Sequence, residues 1–293
     1  MDLNEIYQGD SLELIKKIET ESIHLILSDI PYGINYEEWD VLHNNKNSAL
    51  GKENNKKTGF KTRGKPLNGW SEADKKIPEE YQQWVEKWAE DWLRVLKPGA
   101  SCFVFAGRRM SHRVIVAFEN KGFVFKDMLA WKRGKAVLKA QRLSKVYERR
   151  KDFENAKNYE DWRIGNLRPT FEPILWFMKP YKQGSTITDN MLNNGVGAFN
   201  LDKWEKYAFN KDNIIEITNE TSDRGFHPTQ KPLLLMQALI ELTTQEKQIV
   251  LDPFSGSGTT LLAAKKLNRN YIGFEQNEKY YKNAIKRIKE STQ

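Results

Sequence analysis

The run Leu251-Asp252-Pro253-Phe254-Ser255-Gly256-Ser257-Gly258-Thr259-Thr260 joins a short apolar segment, Ile249 to Leu251, to an amphipathic one, Thr259 to Leu267. Short apolar runs suit strands buried on both faces, and helical spacing after them makes a strand–turn–helix unit. Two glycines, Gly256 and Gly258, let the backbone turn sharply and let a ligand approach the main chain. The next apolar run, Tyr271 to Phe274, ends in Glu275, 275 − 252 = 23 residues beyond Asp252. A carboxylate there can accept hydrogen bonds from both hydroxyls of a ribose. The third glycine of G-x-G-x-x-G is missing, because position 261 is Leu, and there is no G-x-x-x-x-G-K-[ST] loop. These absences argue against NAD and ATP and for a nucleoside without a pyrophosphate.

Outward from this unit the same rhythm continues. Ile23 to Leu27, Ser101 to Ala106, Phe123 to Trp131 and Phe171 to Met178 read as further strands. Tyr81, Trp84, Val85, Trp88, Trp92, Val95 and Leu96 recur at helical spacing, with Pro78 opening that segment and Lys97-Pro98-Gly99 closing it. Lys279 to Ile288 is a last amphipathic helix. Strands alternating with helices give an α/β fold with a mostly parallel sheet. Asn44 to Asp74 breaks the rhythm as a polar loop rich in Asn, Lys and Gly. Gly134 to Arg168 breaks it again, with a helix expected from about Ala140 to Tyr159.

A second constellation, Ser28-Asp29-Ile30-Pro31-Tyr32-Gly33, follows the strand at Ile23 to Leu27. Ligand sites in open α/β sheets lie at such carboxyl ends. Asp29 accepts only, and Ile30, preceding a proline, is biased to an extended form that can present its carbonyl. Two acceptors suit an amino group with two N–H donors. Tyr32 adds an aromatic face on which a base can stack.

The net charge is 47 − 39 = +8, and Lys132 to Lys151 alone carries nine basic residues against one acid, Glu148. Concentrated positive charge favours a polyanion. No apolar run is long enough for a membrane span, and the acidic start Met1 to Asp10 lacks the apolar region of a secretory signal. The single cysteine, Cys102, excludes an internal disulfide, and the four histidines show no metal-ligand spacing, so no metal is expected. Cys102, His24, His43 and His112 read as core or surface residues. A reducing, cytoplasmic setting follows.

Four segments together resemble the amino-group DNA methyltransferases, which use S-adenosyl-L-methionine. DIPY at Asp29 to Tyr32 resembles the family's catalytic [DNS]-P-P-[YFW], with Ile30 in place of the first proline. Asp252 to Thr259 matches D-P-F-x-G-x-G-T. His227 to Pro232 resembles H-P-T-x-K-P, and Gly9-Asp10-Ser11 resembles G-D-[CS]. The catalytic turn precedes the cofactor loop by 252 − 29 = 223 residues, the order of the beta class.

The resemblance implies one methyltransferase domain over 1–293 with a Rossmann-like, mostly parallel sheet, polar insertions at 40–78 and 134–168, and a target-recognition region at 181–224. It implies methyl transfer to the exocyclic N6 of an adenine flipped out of double-stranded DNA. Asp29, the Ile30 carbonyl, Pro31 and Tyr32 would form the catalytic turn. Asp10, His227, Thr229, Lys231, Asp252, Phe254, Gly256, Gly258, Thr259 and Glu275 would line the cofactor, with Thr229 and Lys231 near its methionine carboxylate. Lys132, Arg133, Lys135, Lys139, Arg142, Lys145, Arg149 and Arg150 would reach DNA phosphates. The alternatives are an N4-cytosine enzyme, an RNA methyltransferase, whose motif order is usually reversed, and an inactive DNA-binding relative. A cognate restriction endonuclease and a homodimer stand as open partners, and a prokaryote or a phage as the source.

Overall fold

The computed structural model describes residues 1–32, 72–133, 140–208, 210–217 and 230–291. Of the Asn44 to Asp74 loop, 44–71 lies outside these residues; its last three positions already belong to a helix. The strands are β1 (Glu5–Gln8), β2 (Ile23–Asp29), β3 (Leu96–Phe105), β4 (Val124–Lys132), β5 (Ala140–Arg142), β6 (Arg163–Gly165), β7 (Phe171–Met178), β8 (Ile214–Ile215), β9 (Ile249–Asp252) and β10 (Asn270–Glu275). Eight of them form one sheet in the order β1-β10-β9-β2-β3-β7-β4-β8, and β5 and β6 pair separately. All neighbours in the large sheet run parallel except around β7, which is antiparallel to both β3 and β4.

Alternation along the strands divides the core into two layers. Leu25, Leu27, Phe103 and Phe105 point into one, and Ile26, Cys102 and Val104 into the other. Helix α1 (Ser11–Leu14) follows β1, and α2 (Glu72–Val95) covers the second layer with α3 (Ser111–Asn120). Tyr81, Trp88 and Trp92 of α2 are fully buried there. Each large aromatic contributes about 4–6 kcal/mol of apolar burial before its ordering entropy is counted. Pro78 does not open this helix but lies inside it. The reason is Ile77, buried one turn before Tyr81, which extends the apolar stripe upstream past the proline. At the other end Lys97-Pro98-Gly99 belongs to β3, with Gly99 N–H bonded to the Lys179 carbonyl.

The helix expected over Ala140 to Tyr159 is also corrected. β5 leads into α4 (Leu143–Arg149), the chain turns, α5 (Phe153–Asn158) follows, and β6 returns. Lys151 adopts a left-handed φ of 62° and Asp152 caps α5 through the Asn155 N–H, so the helix breaks where a new one is capped. The remaining helices are α6 (Ile187–Asn194), α7 (Leu201–Ala208), α8 (Leu233–Thr243), α9 (Thr259–Lys266) and α10 (Glu278–Glu290). Among the described residues no helix is long and apolar enough to cross a membrane.

The topology gathers the chemistry on one rim. β1, β2, β3, β9 and β10 all end there, at Gln8, Asp29, Phe105, Asp252 and Glu275. Two antiparallel steps through β7 restore the direction, so β4 runs parallel to β2 and ends at Lys132 on the same rim. Being reversed, β7 begins there, at Phe171-Glu172.

Candidate active site

The turn after β9 is built from inside. Asp252 is buried, and its Oδ1 accepts from the Ser28 hydroxyl at 2.7 Å and the Phe254 N–H at 3.1 Å. Burial pushes this carboxyl up to about 6. Asp252 therefore ties the turn to β2 instead of facing a ligand, a correction to its expected role. Thr259 is likewise turned inward, its hydroxyl accepting from Arg287 Nη1 at 2.8 Å. Gly258 has a φ of 74°, and a Cβ there would stand 3.0 Å from the Cβ of Ala284, so this glycine serves helix packing as well as the turn.

The outward groups are others. Glu275 Oε2 accepts from the Gly256 N–H at 2.8 Å and Oε1 from the Asn277 N–H at 2.7 Å. Burial raises its carboxyl to about 7, against the pull of these amides. β1 pairs Gln8 with Glu275, which sets exposed Asp10 beside it; Asp10 also caps α1 through the Leu12 N–H at 2.9 Å. Phe254 is half-buried against Trp84, ring centroids 6.0 Å apart, and Trp88 at 5.7 Å. A carboxylate with free lone pairs, a second exposed acid and an aromatic wall on one strand-end rim fit a nucleoside cofactor.

Next to it lies a buried ionic cluster. The Lys231 ammonium donates to Asp29 Oδ2 at 2.5 Å and to the Tyr32 hydroxyl oxygen at 3.2 Å, and pairs with Glu172 Oε1 at 3.0 Å. The Tyr32 hydroxyl bonds Asp29 Oδ1 at 2.9 Å and also Glu172. Arg133 stands at 3.4 Å from the outer oxygen of Glu172. Lys231 is 5% exposed and Glu172 9%, whereas Asp29 keeps 23%, so Asp29 is the acid that a ligand can still reach. Burial raises the Asp29 carboxyl, with Lys231 opposing; the two carboxylates outweigh burial for Lys231 and hold its ammonium charged. The Ile30 side chain is 2% exposed in the core, and the Pro31 carbonyl accepts from the Tyr81 hydroxyl at 2.9 Å.

Lys231, expected near the cofactor's methionine carboxylate, is paired here with Asp29 and Glu172. Glu172 was missed in the sequence; its signal is a lone acid inside the apolar run Phe171 to Met178. His227 and Thr229 lie outside the described residues, as do Lys135, Lys139 and His43. Of the other basic residues, Lys132 pairs with Glu216 and Lys145 with Glu148, while Arg142, Arg149 and Arg150 are exposed. Cys102 is buried, its thiol pushed up by burial, and His24 accepts from the Ile249 N–H with its imidazole lowered to about 4 by burial. Among the described residues no group of three or more His, Cys, Asp or Glu could hold a metal.

A nucleoside cradle and an acceptor cluster on one rim of such a sheet define a methyltransferase-type site. The family model for N6/N4 DNA methylases matches residues 23–286, and the chain belongs to that family. It is 58% identical over 291 residues to the type II methyltransferase M.HindIII of Haemophilus influenzae, covering 97% of this chain and 94% of that protein. It is 27% identical to M.HinfI of the same species, over 98% of this chain and 69% of the relative. Among solved structures, the cytosine-N4-specific PvuII DNA methyltransferase aligns with a TM-score of 0.62 at 18% identity, over 98% of this chain and 90% of that one. A DNA modification methylase of Thermus thermophilus complexed with S-adenosyl-L-methionine aligns with a TM-score of 0.60 at 18% identity, over 98% and 93%. The chain is a DNA amino-methyltransferase, and its cofactor is S-adenosyl-L-methionine.

Proposed function

We propose that the chain methylates the exocyclic N6 of adenine at a specific site in double-stranded DNA, as the modification member of a type II restriction pair. The observation that carries this is Asp29: a partly exposed carboxylate in a buried cluster, at the strand end beside the nucleoside cradle. An Asp at this motif position leans to adenine in the family. The likeness to the type II methyltransferase M.HindIII supports a cognate endonuclease as partner.

The cofactor supplies an electrophilic methyl on a sulfonium. The chain's residues prepare the amine. Asp29 accepts one N–H of the flipped base through a lone pair that neither Tyr32 nor Lys231 occupies. The Ile30 carbonyl would accept the other, so that both N–H groups are held and the nitrogen lone pair is freed from conjugation with the ring. Lys231 opposes the rise that burial imposes on the Asp29 carboxyl and so favours its ionised form, and Glu172 keeps Lys231 in place. Tyr32 would stack on the base, and Glu275 would hold the cofactor ribose. Holding both partners at near-attack distance supplies much of the rate. The base reaches this rim only by leaving the duplex.

Methylation-sensitive sequencing of DNA from a host expressing the chain tests this directly. The expected result is N6-methyladenine in one sequence context. N4-methylcytosine would overturn the choice of base, and unmodified DNA would overturn the activity.

A further inference from the structure

The β5–β6 ribbon carries a charge arrangement that the fold does not explain. Arg142 stands directly opposite Arg163 across the ladder. Like charges so placed weaken a strand pair. Among the described residues neither guanidinium has a hydrogen-bond or ion-pair partner, and both are exposed. The next pair, Gln141 and Ile164, is exposed too. Among the described residues the ribbon pairs with no strand of the large sheet, and no other strand covers either of its edges. Helices α4 and α5 follow it at the far end. Beside it Trp162 is 66% exposed.

Its position matters equally. The insertion leaves from the end of β4 at Lys132 and returns to the start of β7 at Phe171, and the Arg133 N–H donates to the Thr170 carbonyl at its neck, 2.7 Å. Glu172 of the catalytic cluster is the next residue on β7. The ribbon therefore springs from the catalytic rim.

The stretch 181–224 is placed otherwise. Asn190 of α6 donates to the Pro98 carbonyl at 3.0 Å, and Gln248 donates to the Gly195 carbonyl at 2.8 Å. Pro98 lies in the first residues of β3 and Gln248 precedes β9, so α6 sits on the rim opposite the catalytic one. In α7, Trp204 and Tyr207 are buried in the core. Residues 218–224 lie outside the described residues.

We infer that the β5–β6 ribbon, and not the segment 187–208, reads the DNA sequence, with Arg142 and Arg163, which share one face of the ribbon, entering the major groove beside the flipped base. This rests on the DNA-methylating function proposed above. The groove admits a two-stranded ribbon, and Arg forks match the O6/N7 edge of guanine. Base acceptors between the two guanidiniums remove the repulsion that the free ribbon carries.

The test begins with the site found by sequencing DNA from a host expressing the wild-type chain. Single-turnover methyl transfer is then measured on duplexes bearing that site and each single-base-pair change. Arg142→Ala and Arg163→Ala should each reduce discrimination at one base pair by roughly 5- to 150-fold, since a bidentate contact is worth about 1–3 kcal/mol. Cofactor affinity by calorimetry should stay unchanged, which shows the variants folded. Leu192→Ala, at an 82% exposed position on the opposite rim, should leave discrimination intact. Equal losses on every duplex, or full discrimination in both ribbon variants, would overturn the readout while leaving the methylating function standing. A wild-type chain that leaves host DNA unmodified would overturn that function, and the readout with it.

Discussion

The catalytic cluster and the β5–β6 ribbon leave the same rim of the sheet and treat charge in opposite ways. In the cluster one ammonium, Lys231, is shared by Asp29 and Glu172, and the Tyr32 hydroxyl closes the network. In the ribbon two guanidiniums face each other with no acid between them. A group that must place a single amine within tenths of an ångström is held by buried partners, because an unpaired buried charge is costly and a loose one is imprecise. A group that must meet a polyanion is left exposed and unpaired, so that its repulsion is relieved on binding. Two substitutions of similar chemistry should therefore have different consequences in the two places.

The largest effect is expected at Asp29. Asp29→Ala should lower single-turnover methyl transfer by about a thousandfold, the upper range for a lost transition-state contact. Lys231 keeps its partner Glu172, so the fold and the cofactor affinity should survive. A variant that methylates at the wild-type rate would remove the basis for the proposed chemistry. Next is Lys231→Met, expected to cost roughly 10- to 100-fold near neutral pH. Asp29 must be ionised to accept the amine, so activity falls as pH falls through its pKa. Burial already raises that pKa and Lys231 opposes the rise. Without the ammonium the acid limb of the rate profile should move to higher pH, with activity recovering there. Glu172→Gln removes a negative neighbour that also raises Asp29, so its limb should move the other way, to lower pH. Two limbs that shift in the same direction would show that the cluster does not tune Asp29.

Much of this rim was legible in the sequence. Six strands of the large sheet were expected within a few residues of their places, because burial on both faces leaves a continuous apolar run, with β3 departing furthest, at Leu96 instead of Ser101; the short edge strands β1 and β8 were not expected. The family motifs placed Asp29, Tyr32 and Glu275 at strand ends, where the sheet delivers them. What stayed hidden depends on strand direction. Glu172 joins the cluster because β7 is reversed, and no local pattern announces an antiparallel strand among parallel ones. Lys231 reaches Asp29 across 231 − 29 = 202 residues, a pairing that only the assembled sheet reveals. The basic run read as one helix because Lys and Arg favour helices, whereas the break at Lys151 rests on a left-handed residue followed by an Asp cap.

Glu275 should show a smaller, pH-dependent effect. Its carboxyl, raised by burial to about 7, is only partly ionised at neutral pH. Ribose hydroxyls donate to the ionised form, so cofactor affinity should rise by up to roughly tenfold between pH 6 and pH 8, with a proton released on binding. Calorimetry in buffers of different ionisation heat reads both quantities. Glu275→Gln should weaken binding by about tenfold at pH 8 and flatten the dependence. A wild-type affinity that is flat across this range would detach Glu275 from the ribose.

The smallest effect separates positioning from reading within the insertion itself. Arg149 is bonded to the Lys145 carbonyl through Nε, so its guanidinium keeps its charge and its outer donors. Arg150 is exposed at the end of α4, and Lys145 is already paired with Glu148. Each phosphate contact contributes about 0.9 to the slope of log affinity against log salt. Arg149→Ala with Arg150→Ala should therefore lower the slope by about 2 and weaken every duplex alike, with discrimination between sites intact. Lys145→Ala should lower it by less, because Glu148 already neutralises part of that charge. The ribbon arginines should behave in the reverse sense, losing discrimination with a smaller change in slope. A double variant of Arg149 and Arg150 with the wild-type slope would make α4 a solvated helix face, and DNA positioning would then fall to Lys132 and Arg133 at the neck of the insertion.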